Sequence, residues 1–173
     1  VINAQPSNVT VCEGNSAIYS VTATGVVSYQ WQLNSVNVGT NTNSYNIPVV
    51  SLSQNGSSIS CILTGQCGST TTIIATLTVQ TSPAITTQPL NTTACVGSSA
   101  TFTVAATGTN ISYQWQSSTA GCAGPWTDIP GAPNSASYTV SGITLANDNT
   151  GYQCVITGTC TPAVTTNCAL LTV

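Results

Sequence analysis

The chain repeats itself, and a repeated sequence must fold as repeated units of similar structure. Val11-Cys12-Glu13-Gly14-Asn15-Ser16-Ala17-Ile18-Tyr19-Ser20-Val21 returns as Ala94-Cys95-Val96-Gly97-Ser98-Ser99-Ala100-Thr101-Phe102-Thr103-Val104. Ser28-Tyr29-Gln30-Trp31-Gln32 returns as Ser112-Tyr113-Gln114-Trp115-Gln116, and Cys61-Ile62-Leu63-Thr64-Gly65-Gln66-Cys67 as Cys154-Val155-Ile156-Thr157-Gly158-Thr159-Cys160. The copies close on Leu77-Thr78-Val79 and Leu171-Thr172-Val173. This places one domain at 1–80 and a second at 81–173. Val1-Ile2 aligns with Ala84-Ile85, after a linker at Gln80-Thr81-Ser82-Pro83, so the expected unit is two repeats of a longer periodic string. Trimming at domain boundaries explains the same ends.

Each copy reads as strands. Residues 16–24 alternate apolar and polar, as a half-buried strand does. Further strands are expected over 28–33, 46–50, 58–63 and 73–79, with 167–173 closing the second copy. Turns rich in Gly, Asn, Ser and Pro join them. Ser and Thr fill 52 of the 173 positions, whereas Met is absent and Glu occurs once, which favours strands over helices. The expected class is all-β, with each copy a sandwich of two sheets.

Charge narrows the function. There is no Lys, Arg or His, and Glu13, Asp128 and Asp148 are the only acids. Charged residues are 2% of the chain, against about 25% in an ordinary domain. Without Lys or Arg there is nothing to neutralise phosphate, which excludes nucleic acid as a partner. Without a base, serine or cysteine acyl transfer has no catalytic set. The three acids are too dispersed for carboxylate-pair chemistry, so no enzyme is expected and no catalytic residue is named. No metal or other cofactor is expected; Asp148 reads as a turn residue bonding backbone rather than a calcium ligand. No apolar run is long enough to span a membrane. A surface with so little charge is poorly defended against association.

Asn8, Asn55, Asn91 and Asn110 begin glycosylation sequons at a frequency the composition alone produces. Alternating threonines, as at Thr22 and Thr24, Thr76 and Thr78, and Thr101 and Thr103, read as solvent-facing strand positions. A flat threonine array for ice or crystalline polysaccharide is the competing reading. Tyr29, Tyr113 and Trp126 are candidates to stack on a sugar, with Trp126 alternatively covering a sheet edge.

Trp31 and Trp115 occupy the place of the core tryptophan of an immunoglobulin strand C. Asp148-Asn149-Thr150-Gly151-Tyr152-Gln153-Cys154 resembles the approach to strand F, with Tyr152 at the tyrosine-corner position. In the first copy that corner is replaced by Asn55-Gly56-Ser57-Ser58-Ile59-Ser60-Cys61. The chain resembles tandem immunoglobulin-like repeats of large secreted bacterial surface proteins and adhesins of the Bacteroidota type. The Thr-x-Cys-x-Gly start, the Tyr-Gln-Trp-Gln strand and the Leu-Thr-Val end carry that resemblance. It implies two immunoglobulin-like sandwiches in a rod, with Trp31, Trp115 and Tyr152 in the cores.

The eight cysteines, with no histidine, suit disulfides in an oxidising compartment. The immunoglobulin bridge between strands B and F is missing, because strand B carries Val21 and Val104. The first copy holds Cys12, Cys61 and Cys67; the second holds Cys95, Cys122, Cys154, Cys160 and Cys168. Both counts are odd, so complete oxidation requires a bond between repeats. The resemblance puts Cys12 and Cys95 at A–B turns, Cys122 in the C–C′ turn, and Cys67 and Cys160 at F–G turns. One wiring joins Cys12–Cys61, Cys95–Cys154 and Cys160–Cys168, leaving Cys122 of one subunit to bond Cys67 of the next. A second pairs Cys12 with Cys160 within the chain and Cys95 with Cys67 of a neighbour. A third leaves buried free thiols and no cross-link.

The expected function is structural: a secreted, cell-surface filament or stalk subunit that assembles with itself head to tail, disulfide cross-linked in the first two of these wirings. The alternative is an adhesin module whose ligand is a surface glycan. The segment 117–126, unmatched in the first copy, is its candidate loop.

Overall fold

A computed structural model describes all 173 residues. The chain forms two compact units, Val1–Thr81 and Ser82–Val173. The first contains ten strands: β1 (Ile2–Ala4), β2 (Val9–Cys12), β3 (Ala17–Ser20), β4 (Thr22–Ala23), β5 (Val26–Leu33), β6 (Val36–Val38), β7 (Ser44–Ile47), β8 (Ser58–Gly65), β9 (Gly68–Thr71) and β10 (Ala75–Gln80). One sheet runs β2-β10-β8-β5-β6, with β9 also on β8. The pairs β1–β4 and β3–β7 make the facing layer. All pairings are antiparallel except β2 with β10, where the second strand runs parallel to the last.

The second unit repeats this plan with β11 (Ala84–Thr87), β12 (Thr92–Thr93), β13 (Ser99–Thr103), β14 (Ala105–Thr107), β15 (Ser112–Ser118), β16 (Thr127–Asp128), β17 (Ser137–Ser141), β18 (Thr150–Thr157), β19 (Val164–Thr165) and β20 (Ala169–Thr172). Its main sheet is β12-β20-β18-β15-β16, with β19 on β18; β11–β14 and β13–β17 face it. These are two all-β sandwiches, each closed by its own last strand.

Alternation explains the layers. In β10 the residues Ala75, Leu77 and Val79 point inward while Thr76 and Thr78 face solvent. In β13, Ala100 and Phe102 are buried between exposed Ser99, Thr101 and Thr103. Each unit has its own apolar cluster. The first centres on Trp31 with Tyr19, Val21, Ile59, Cys61 and Leu77. The second centres on Trp115 with Phe102, Val104, Tyr152, Cys154 and Leu171. Both tryptophans are fully buried. Each satisfies its indole N–H on a backbone carbonyl at 3.0 Å, Thr42 for Trp31 and Ser135 for Trp115. Buried indole needs such a partner.

Several strands differ from their sequence-based bounds. The strand expected over 16–24 is broken at Val21, whose N–H goes to Asn43 O at 2.9 Å as the chain passes from β7 to β1 as partner. The strand expected over 46–50 is β7; Val50 is buried from a turn beyond it. The strand expected over 73–79 begins at Ala75, and Ile73 and Ile74 are exposed. Thr72 is the cause. Its buried Oγ1 accepts the Cys61 N–H at 2.9 Å, and its own N–H donates to Cys61 O at 2.9 Å. The side chain thus takes a backbone carbonyl's place, and the ladder is interrupted. Thr166 does the same for Cys154, so the strand expected over 167–173 starts at Ala169.

Candidate functional site

Chemistry in this chain resides mainly in cysteine, and the fold sorts its cysteines by environment. Cys61 and Cys154 lie in β8 and β18, fully buried and free. Each thiol donates only to the next carbonyl, Ile62 O at 3.7 Å and Val155 O at 3.8 Å. Burial pushes the Cys154 thiol up to about 11 and raises Cys61, partly opposed by hydrogen bonding to the sulfur from the Gln114 backbone in the one and the Gln30 backbone in the other. Protonated thiols packed against Trp31 and Trp115 are core residues, since the thiolate is the reactive form.

Cys122 and Cys168 form a disulfide with Cα atoms 5.6 Å apart. It ties the short 3-10 turn Gly121–Ala123, within the segment unique to the second copy, to the residue before β20. Cys12 and Cys160 are both disulfide-bonded. Cys67 and Cys95 are free and exposed.

The first wiring from the sequence is therefore corrected in all four bonds. Cys122 is taken by Cys168, so it cannot reach Cys67 of another subunit and Cys160–Cys168 cannot form. Cys12–Cys61 and Cys95–Cys154 fail because the strand F cysteines point into the cores as free thiols. Sequence reasoning placed Cys122 in a surface turn but missed that this turn folds back onto β18. Gly151 was the available signal. A Cβ there would sit 2.6 Å from Gly121 O and 2.9 Å from Cys168 Sγ. Ser58 holds the equivalent place in the first copy, which has no such turn.

The three carboxylates are structural. Glu13 Oε1 accepts the Leu52 N–H at 2.9 Å, Asp128 Oδ1 the Gln116 Nε2–H at 2.8 Å, and Asp148 Oδ1 the Val173 N–H at 2.9 Å. Asp148 thus bonds backbone, though at the residue after the last strand rather than within its own turn. No group of three or more His, Cys, Asp or Glu is placed to hold a metal. No helix is long and apolar enough to cross a membrane.

Three of the four sequon asparagines accept a backbone N–H, a role that composition hid. Asn8 Oδ1 accepts from Thr76 N at 2.8 Å and Asn91 Oδ1 from Leu170 N at 2.9 Å, the same staple in both copies. Asn55 Oδ1 accepts from Val79 N at 2.8 Å, where Asp148 stands in the second copy. Tyr29 and Tyr113 pack partly on their cores. Trp126 is half-buried, with its ring over Gly124. An open groove of about 880 Å³ lies at the end of the first unit where its chain begins, between Val1, Ile2, Val27 and the turn carrying Cys67.

Two sandwiches of this topology, each built around a strand C tryptophan, define a tandem pair of immunoglobulin-like domains. Residues 84–173 match the family described as "Domain of unknown function (DUF8696)", and the chain belongs to that family. No curated protein matches it. Among solved structures it is similar to the I-band fragment I67–I69 of titin, with TM-score 0.77 and 14% identity over 99% of this chain. It spans 64% of that fragment. It is also similar to DIP-gamma Ig1+Ig2, with TM-score 0.69, 15% identity, 99% of this chain and 96% of that one. Rst D1–D2 gives TM-score 0.67 and 14% identity over 99% of this chain and 98% of that one. At these identities the likeness is one of fold.

Proposed function

We propose that the chain is a non-enzymatic structural subunit of an extracellular bacterial filament or surface stalk, assembling with its own kind head to tail. The observation that carries this is the surface. Three charges serve 173 residues, while eleven large apolar side chains stand exposed, among them Val27, Leu90 and Val96. Such a surface favours association over dispersal. Each sandwich supplies its own last strand, β10 or β20, so joining does not depend on donating a strand. Sedimentation velocity and electron microscopy of the purified chain test the reading. Linear assemblies growing with concentration are expected; a monomer at every concentration and redox state rejects it.

One observation favours a second reading, an adhesin module that binds surface glycan. The segment unique to the second copy is pinned by Cys122–Cys168 and carries Trp126. A glycan-array signal abolished by Trp126→Ala supports it, and a blank array removes it.

A further inference from the structure

The two copies carry the same pair of turn cysteines in opposite oxidation states. Cys12 corresponds to Cys95, and Cys160 to Cys67. Cys12 and Cys160 are both disulfide-bonded, while Cys95 and Cys67 are both exposed free thiols.

Their positions within each unit follow one rule. In the first unit Cys12 lies in register with Gln80 of β10, at the end where the chain leaves. In the second unit Ser82 Oγ donates to Thr161 O at 2.8 Å, so the turn holding Cys160 lies at the end where the chain enters. Oxidised cysteines therefore mark the end of each unit that borders the linker. The free thiols mark the other two ends. The turn carrying Cys67 borders the groove beside Val1 and Ile2. Ala94 donates to Thr172 O at 2.9 Å, which sets Cys95 beside the last residues of the second unit.

We propose that Cys95 of one molecule forms a disulfide with Cys67 of a second copy of this chain. The bond is heterologous, so each copy retains one free thiol and the linkage repeats. The occupant is a second copy because Cys95 repeats the position of the oxidised Cys12 and Cys67 that of the oxidised Cys160. Each molecule thus offers on its second unit the cysteine that the first unit of another copy requires. The groove beside Cys67, with exposed Val27 on its wall, gives apolar contact for the exposed Val96 next to Cys95.

The chemistry is thiol–disulfide exchange. The Cys95 thiolate attacks a small-molecule disulfide such as oxidised glutathione and expels one thiolate. The Cys67 thiolate of the second copy then attacks Cys95 Sγ and expels the other. One protein disulfide forms, one small-molecule disulfide is reduced to two thiols, and the two protons lost by the protein thiols are taken up by the departing thiolates. Cys61 and Cys154 stay out of the exchange because they are buried.

The proposal rests on the head-to-tail reading above, and the test separates the two. The full chain is incubated with oxidised glutathione, its thiols are blocked, and it is run with and without reductant. A ladder spaced by 17.5 kDa that collapses on reduction is expected, with Cys67–Cys95 peptides in each higher band. Cys67→Ser alone and Cys95→Ser alone should each remain a single band, and an equal mixture should give a dimer and nothing larger. Both substitutions are on the surface, and circular dichroism checks the fold. A single variant that dimerises by itself overturns the pairing. Linear assemblies without a covalent ladder overturn the cross-link and leave the filament. No assembly in any redox state overturns both.

Discussion

The sharpest differences between the copies are single residues, and each has a physical reason. Tyr19 is fully buried with a hydroxyl that finds no partner, and burial raises its pKa to about 12. Its counterpart is Phe102, which stacks on Tyr152 with ring centroids 4.6 Å apart. Leaving a buried hydroxyl unpaired costs about 1–3 kcal/mol. Tyr19→Phe, which imports the second copy's residue, should keep or raise stability by about 1 kcal/mol in urea unfolding. Gly151→Ala should do the reverse. Its Cβ meets backbone and disulfide sulfur, and overpacking of this kind costs about 1–3 kcal/mol.

The pH dependence also belongs to single residues. Burial holds the Cys154 thiol protonated to about 11, against an ordinary value of 9.0. The folded chain therefore keeps a proton that the unfolded chain releases, and stability falls as pH rises between those values. Tyr19 extends the loss from 10.0 to about 12. Thermal unfolding should show a stable fold below pH 9 and a falling melting temperature above it. A flat profile to pH 12 contradicts this.

At the scale of elements, both copies replace backbone pairing with side chains at matching points. Thr72 and Thr166 break the last strand, and Asn8 and Asn91 staple the chain before β2 and β12 to that strand. The second copy adds one element, the turn bearing Cys122, fixed across a sequence separation of 46. Closing a loop of that size lowers the entropy of the unfolded chain and stabilises by about 2–4 kcal/mol. Replacing Cys122 and Cys168 together by serine should lower the stability of the second unit by that amount. Its denaturant midpoint reads the change, and an unchanged midpoint contradicts it.

For the whole molecule, a nearly uncharged surface makes a distinct prediction. Ionic screening acts on charges, and this chain has three. Its self-association should be the same, within a factor of about two, from low salt to near-molar salt, as sedimentation velocity would show. Assemblies that dissolve at moderate salt would contradict the proposed apolar contacts.

The duplication, the alternating strands and the Tyr-Gln-Trp-Gln segments specified two all-β sandwiches with buried tryptophans, because period and burial are local properties of sequence. Strand ends were less legible. Thr72 and Thr166 lie one residue before the strands expected from sequence, and only the nearby amides of Cys61 and Cys154 turn them inward. Cysteine pairing was least legible. Parity showed that the copies could not both be fully oxidised internally, but a disulfide depends on a distance of a few ångströms between distant residues. Sequence alone determined that this chain is two similar sandwiches with almost no charge. The tertiary structure decided which thiols are buried, which are joined and which are left at the surface, because only folding brings residues 46 positions apart within bonding reach.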